Sequence, residues 1–329
     1  MERFRALLAE KSERGYSVGL KELTNDDLPD VGEVLVDVAF SSLNYKDGLA
    51  VTAKGKIVRK FPMVLGIDLA GTVIESTSPD FKAGDRIAGT GQGLGELDWG
   101  GYTQRQRVKA DAIVPLPDDL SLEEAMRIGT AGVTAMLCVM ALDAYGIARD
   151  GEVVVTGAAG GVGSIAVMLL ARNGYRVAAS TGRPELASYL EDLGATTIVP
   201  REELSAKGAP LQTERWAGAV DTVGGETLAT LLAQTAYEGA IAACGMAGGG
   251  ELTTTVWPLI LRNVALLGVS SLKTSKPKRI EAWTRLSREL DRAKLASLSR
   301  TEPLTKIAEL SEEILAGHTR GRVVVDTHA

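Results

Sequence analysis

The chain has 329 residues, long enough for two domains that each bury a core, and 45% hydrophobic with 24% charged residues is ordinary globular composition. Thirty-six basic against 42 acidic residues give a net charge of −6, which excludes a general attraction to nucleic acid or to an anionic membrane surface. Two Cys and two His without close spacing do not make a tetrahedral metal site, so no metal is expected, and Cys138 and Cys244, set in apolar stretches, read as reduced core residues of a cytoplasmic protein.

In chain order, the opening MERFRALLAEK carries charges too early, and no long apolar run, for a secretory signal. Up to about residue 125, short alternating or β-branched runs at 33–40, 71–74, 85–87, 102–108 and 112–114 predict a compact, mostly β domain. Residues 122–145 carry a long helical pattern in two pieces, broken near 129–132. Strands at 153–155, 175–180, 197–199, 218–223 and 240–244 then alternate with helices at 164–173, 184–193 and 227–233, which predicts βαβ units and a parallel sheet. A strand at 264–269, a basic stretch at 273–279, a helix at 280–295 and a β signal at 322–326 complete the chain.

The most informative stretch is VVVTGAAGGVGSIAVMLLA at 153–171, a β-branched strand, a cluster of four glycines and a helix. Such a turn aims unpaired N–H groups and the positive end of a helix dipole at one point, where a pyrophosphate binds. Gly160 and Gly163 fill two slots of the dinucleotide fingerprint, while Ala158 stands in the first. The run is also long enough to suggest a membrane span, but clustered glycines argue against one continuous helix. The next strand ends in Ser180, Thr181, Gly182 and Arg183, with no acid to bind a ribose hydroxyl. Two hydroxyls and a guanidinium there suit a 2′-phosphate, so the cofactor is expected to be NADPH, with Arg201 as a second candidate cation. The same residues also make an ordinary helix start, with Pro184 at its first position.

These residues, with SSLNYKD at 41–47, PMVLGIDLAG at 62–71, GDR at 84–86, GGY at 100–102, GTAG at 129–132 and DTVG at 221–224, carry a family resemblance. The chain resembles zinc-independent members of the medium-chain dehydrogenase/reductase superfamily, in the quinone-oxidoreductase branch. The resemblance implies an α/β chain: a GroES-like partial β-barrel over 1–124 and 273–329, and a Rossmann domain with a doubly wound parallel sheet over 125–272. Ala158 in the first fingerprint slot is usual for that branch. Within it, residues 42–71 are most similar to reductases that convert acryloyl-CoA to propionyl-CoA with NADPH.

Zinc-dependent relatives carry Gly-His-Glu where this chain has Gly66, Ile67 and Asp68, and use a cysteine near 44–47 and a four-cysteine lobe that this chain lacks. Without that Lewis acid the expected substrate brings its own electron sink, an alkene conjugated to a thioester or ketone. The resemblance places Tyr45 beside the nicotinamide, to stack, to hydrogen-bond the cofactor or to protonate Cα; an amphipathic core tyrosine is the plain alternative. It implies cofactor contacts at Thr130, Thr156, Gly160, Gly161, Val162, Gly163, Ser180, Thr181, Gly182, Arg183, Arg201, Met246, Ile260 and Ser270, with helix capping as the alternative for the two threonines. Asp47 and Lys46 read as a structural ion pair, and Asp68 as a buried acceptor. Lys54, Lys56, Arg59 and Lys60 are candidates for the phosphates of coenzyme A, or else a solvated face; Lys273, Lys276, Lys278 and Arg279 allow the same two readings. The competing functions are a quinone or free-enone reductase and a non-catalytic NADPH-binding crystallin-like or RNA-binding protein. Low aromatic content and negative charge weaken any nucleic-acid role, and no membrane role is expected. Family members are commonly homodimers.

Overall fold

The computed structural model describes residues 3–13 and 15–329. Contacts divide the chain into two compact units, one of Met1–Val133, Ser271–Ser287 and Leu295–Ala329, the other of Thr134–Ser270 and Arg288–Lys294. The first cut falls nine residues beyond the expected 124, inside a long helix rather than before it, and 288–294 belongs to the second unit.

The first unit begins with β1 (Arg3–Ser12), β2 (Gly15–Thr24), β3 (Val34–Leu43), the short helix α1 (Tyr45–Val51), β4 (Met63–Val64), β5 (Asp68–Ser76), β6 (Arg86–Thr90), β7 (Arg105–Val108) and β8 (Ile113–Pro115). Helix α2 (Leu122–Tyr145) carries the chain into the second unit. There follow β9 (Glu152–Val155), α3 (Gly161–Arg172), β10 (Arg176–Thr181), α4 (Ala187–Leu193), β11 (Thr197–Pro200), α5 (Arg201–Ser205), β12 (Trp216–Asp221), α6 (Gly225–Gln234), β13 (Thr235–Ala243), α7 (Trp257–Leu261) and β14 (Ala265–Gly268). The tail supplies α8 (Lys276–Glu289), α9 (Arg292–Ser297), β15 (Ser299–Pro303), α10 (Ile307–Leu315) and β16 (Arg322–Asp326).

In the first unit β1 pairs with β2 and β4 in one small sheet, and the other runs in the order β15-β16-β3-β5-β6-β8, with β7 paired to β3. The β1–β2 hairpin, α1 and α10 are not among the predicted elements, and α1, with seven residues, is too short to show a helical period. The predicted strand at 102–108 shortens to β7, and the predicted helix at 280–295 is two helices, α8 and α9. In the second unit all six strands are parallel, in the order β11-β10-β9-β12-β13-β14, around a core that includes Val154, Ala178, Trp216, Ala219, Leu231 and Ile241. The alternating elements predict such a parallel sheet, and its doubly wound order is the one the family resemblance implies. The apolar run at 153–171 is thereby a strand, a turn and a helix. Helix α2 is long and apolar enough to cross a membrane by length and composition, but it is mostly buried and kinked at Gly129.

Candidate cofactor and active site

Strand order reverses between β9 and β12, and the glycine turn leaves β9 at that switch point, where open α/β sheets bind ligands. A Cβ on Gly163 would run into the carbonyl oxygen of Gly157 and come 2.7 Å from Cα of Ala158, so strand and helix close only around a residue without a side chain. Gly160 caps α3, and Gly161, Val162 and Gly163 form its first turn, whose N–H groups have no carbonyl partner within a helix. The turn therefore fits a pyrophosphate.

Next to it, β10 and β11 pair in parallel with Thr181 opposite Pro200. That register carries Arg201 to the end of β10. Its guanidinium lies against Gly182, where a Cβ would come 2.5 Å from Cζ. Ser180 and Thr181 are buried, and Thr181 Oγ1 accepts the backbone N–H of Arg183 at 3.1 Å. The Arg183 side chain reaches back to the carbonyl of Ala159 at 3.4 Å. Two guanidinium groups and no carboxylate thus gather at the end of β10, a donor set that fits a phosphate.

Every polar group of Thr156 has a protein partner. Its hydroxyl donates to Asp221 Oδ1 at 2.6 Å and accepts the Thr222 N–H, its own N–H donates to Val220, and its carbonyl accepts from the Thr222 hydroxyl. Burial pushes the Asp221 carboxyl up against these hydrogen bonds. Cys138 and Cys244 are free thiols. A hydrogen bond to Cys244, then burial, holds the Cys138 thiol well above its ordinary value. Met246 is exposed in the loop after β13, and Ser270 follows β14. Ile260, 72% exposed on α7, is two residues from Arg262, whose carbonyl accepts from Glu238 in the amino half of β13. The structure therefore places it toward the amino edge of the sheet, apart from the glycine turn.

In the first unit, Tyr45 opens α1 with its ring 49% exposed, and its hydroxyl has no partner among the described residues. Beneath that turn lies a sealed polar cluster of Ser42, Asn44, Asp47, Asp68, Tyr102 and Arg322. Asp68 accepts from Ser42 Oγ at 2.5 Å, Asn44 Nδ2 at 2.9 Å, and the N–H and hydroxyl of Thr130 at 2.9 and 2.5 Å. It is a buried acceptor, but of mostly side-chain donors where nearby backbone was expected, and it takes up the Thr130 hydroxyl. Arg322, 3% exposed, donates to the carbonyls of Arg127 and Leu43, to Asn44 Oδ1 and to Ser42 Oγ, and sits 3.9 Å from Asp68. Gly129 makes this possible. A Cβ there would come 2.5 Å from Arg322 Nη2 and 2.7 Å from Asp68, and the helix kinks at φ 51°.

The expected Lys46–Asp47 ion pair is not formed. Lys46 binds Glu96 at 2.6 Å, while Asp47 is buried on the opposite side of α1 and accepts N–H groups. Helical geometry explains the difference, since neighbouring residues point about 100° apart. The second basic stretch is likewise internal in part. Lys276 pairs with Asp80 at 2.8 Å and lies over Phe81, and Arg279 is buried against the carbonyls of Thr274, Asp111 and Ala112. In the first stretch Lys54 pairs with Glu312, whereas Lys56, Arg59 and Lys60 are exposed and enter no ion pair among the described residues. Sequence reasoning passed over Ser42, Asn44 and Arg322 as functional residues. The only signal was indirect: a buried aspartate at 68 needs donors.

Residues 30–118 match the alcohol dehydrogenase GroES-like domain and residues 161–289 match the zinc-binding dehydrogenase family. Acrylyl-CoA reductase AcuI of Ruegeria pomeroyi is 49% identical over 330 residues, 99% of this chain and 100% of that protein. The chain is a medium-chain dehydrogenase/reductase. Two solved structures of the family superpose closely. The yhdH oxidoreductase of Salmonella enterica in complex with NADP has a TM-score of 0.95 and 50% identity, covering 98% of this chain and 99% of that one. Bacillus subtilis protein yhfP with NAD bound has a TM-score of 0.94 and 44% identity, covering 99% and 100%.

The family description raises the question of zinc, and the donor set does not fit it. Among the described residues no three His, Cys, Asp or Glu side chains are grouped to hold a metal. Ile67, buried beside Asp68, offers only hydrocarbon, and Asp68 already faces a fixed guanidinium. The cation buried beside Asp68 is Arg322.

Proposed function

We propose that the chain reduces the carbon–carbon double bond of acryloyl-CoA, giving propionyl-CoA, with NADPH as its cofactor. The observation that carries the cofactor is the glycine turn set beside a strand end with Arg183 and Arg201 and no carboxylate. The full-length likeness to an acrylyl-CoA reductase supports the substrate. The B. subtilis relative carries NAD, so within this fold the preference is read from the residues after β10, not from the turn alone.

Bound NADPH would supply hydride chemistry, suited to an alkene whose conjugated thioester carbonyl can draw off the charge. Gly161, Val162 and Gly163 would hold its pyrophosphate through their N–H groups, and Arg183 and Arg201 would hold its 2′-phosphate. Tyr45, whose hydroxyl has no partner among the described residues, would deliver a proton to Cα of the substrate. Lys56, Arg59 and Lys60 would meet the phosphates of coenzyme A, with Lys54 beside them in its pair with Glu312; Lys273 and Lys278 of the second stretch are also exposed and remain candidates.

The test follows NADPH oxidation with acryloyl-CoA, crotonyl-CoA, a small free enone and a quinone. Acryloyl-CoA should give the highest kcat/KM, and neutralising Lys56, Arg59 and Lys60 together should raise its KM about tenfold at low salt with kcat unchanged. Equal kcat/KM for the enone, with no effect of the triple change, would replace this reading by the quinone or free-enone alternative.

The active form is a homodimer of the cytoplasm. What supports the dimer is that β14 is an edge strand and that Val256, Trp257, Ile260, Leu261 and Leu266, on or close to it in sequence, are exposed. Light scattering should give twice the 34.6 kDa chain mass, and Ile260→Glu should shift it to the monomer; a monomeric parent protein sinks this part.

A further inference from the structure

We propose that Asp47 is a positioning residue for Tyr45: its carboxylate holds the first turn of α1 in the form that presents the phenol, and releases that turn when it takes up a proton. The inference rests on the role given to Tyr45 above.

Helix α1 has seven residues, too few to hold its own conformation, and Tyr45 is its first. What fixes that turn is a capping box between Asn44 and Asp47. Asp47 Oδ2 accepts the Asn44 backbone N–H at 2.9 Å and its side-chain amide at 3.1 Å, and Oδ1 accepts the Ile67 N–H at 2.9 Å. One carboxylate thus ties the residue before Tyr45 to the segment leading into β5. At its middle α1 packs on α10, with Gly48 seated against Ile314 and the carbonyl of Ser311. Only the end that carries Tyr45 depends on a charge.

The charges around Asp47 are unequal. The titratable groups that face it are Asp68 of β5, Arg322 of β16 and the phenol of Tyr102. The single guanidinium lies nearer Asp68 and is engaged by Ser42, Leu43, Asn44 and Arg127. Two carboxylates therefore share one cation inside a dry cluster. Burial, and then the charge of Asp68, push the Asp47 carboxyl up to about 7 against the hydrogen bonds that favour its ion. The three groups bonded to Asp47 are all donors, so an added proton finds no acceptor among them. The O–H must turn outward, at least one of those bonds is lost, and the cap loosens.

The sign follows directly. As pH falls through about 7, Asp47 gains its proton, Tyr45 loses its fixed orientation and turnover declines, although Asp47 touches neither substrate nor cofactor. The like charge of Asp68 sets where this happens. Removing it should move the step to lower pH.

The test has two independent arms. In the first, Asp47→Asn is assayed with NADPH and acryloyl-CoA across neutral pH. The variant should lose about tenfold in kcat on the alkaline side, keep the KM for NADPH, and show no fall on the acid side where the parent enzyme does. An unchanged acid limb in Asp47→Asn would overturn the proposal. The second arm needs neither turnover nor a folded variant of Asp47. Protein labelled with 13C in the tyrosine rings is titrated, and the Tyr45 signal is assigned by its loss in Tyr45→Phe. One step with a midpoint near 7 is expected; a flat signal from mildly acid to mildly alkaline pH overturns the clamp. If acryloyl-CoA is not reduced at all, the functional reading fails while this titration still decides the role of Asp47.

Discussion

Replacing Arg322 with Met should lower the unfolding free energy by about 3–5 kcal/mol, because it strands two buried carboxylates without their only cation. Asp68 would lose its ion pair at 3.9 Å, and the carbonyls of Leu43 and Arg127 would lose their donor within the fold. Asp47 feels the same guanidinium and would be driven further toward its neutral form. Typical total stabilities are about 5–15 kcal/mol, so the melting temperature should drop by roughly 10 °C, and expression should suffer. Urea unfolding measures it. The second change Asp68→Asn should recover part of the loss, because one stranded charge is then gone. A single-variant loss below about 1 kcal/mol would show that the cluster tolerates its own net negative charge.

The second large effect concerns cofactor choice. Changing Arg183 and Arg201 together to Ala should cut kcat/KM for NADPH by about a hundredfold while leaving NADH within a few-fold of its starting value. Each charge-assisted bond to a phosphate is worth about 1.5–3 kcal/mol, and NADH presents no phosphate at that point to lose. The single changes should be unequal. Arg201, whose guanidinium lies against Gly182, stands over the strand end, whereas Arg183 also reaches back to the Ala159 carbonyl and helps to shape the glycine turn. Steady-state kinetics with both cofactors decide the matter. Equal losses with NADPH and NADH would mean that the pair supports the fold of the turn and does not read the 2′-phosphate.

The nucleotide turn was legible because all of it is contiguous. Strand β9, the glycines and α3 lie within about twenty residues, and the change from alternation to helical period marks both ends. The same holds for the missing acid, since Ser180–Arg183 directly follow the strand residues Tyr175–Ala179. That the sheet is parallel could be anticipated from alternating elements and right-handed crossovers; the order of its six strands came from the structure. Helix α1 escaped notice because two turns are shorter than any window in which a period can be counted, yet it carries Tyr45.

Which charges are internal was decided by tertiary structure alone. Arg322 and Lys60 look alike in sequence, a cation beside β-branched or apolar neighbours. One is sealed in a cluster and the other is exposed, because β16 pairs with β3 in the register that sets Val323 opposite Leu43. Shifting that register by one residue would turn Arg322 to the other face of the sheet. In the same way Lys276 and Arg279 left the list of free cations when α8 laid them on Asp80 and on the carbonyls of 111 and 112. Local pattern determines where a helix or a glycine turn forms, since its forces act between near neighbours. The charge balance of a buried cluster is a sum over residues hundreds of positions apart, and only the packed chain performs it.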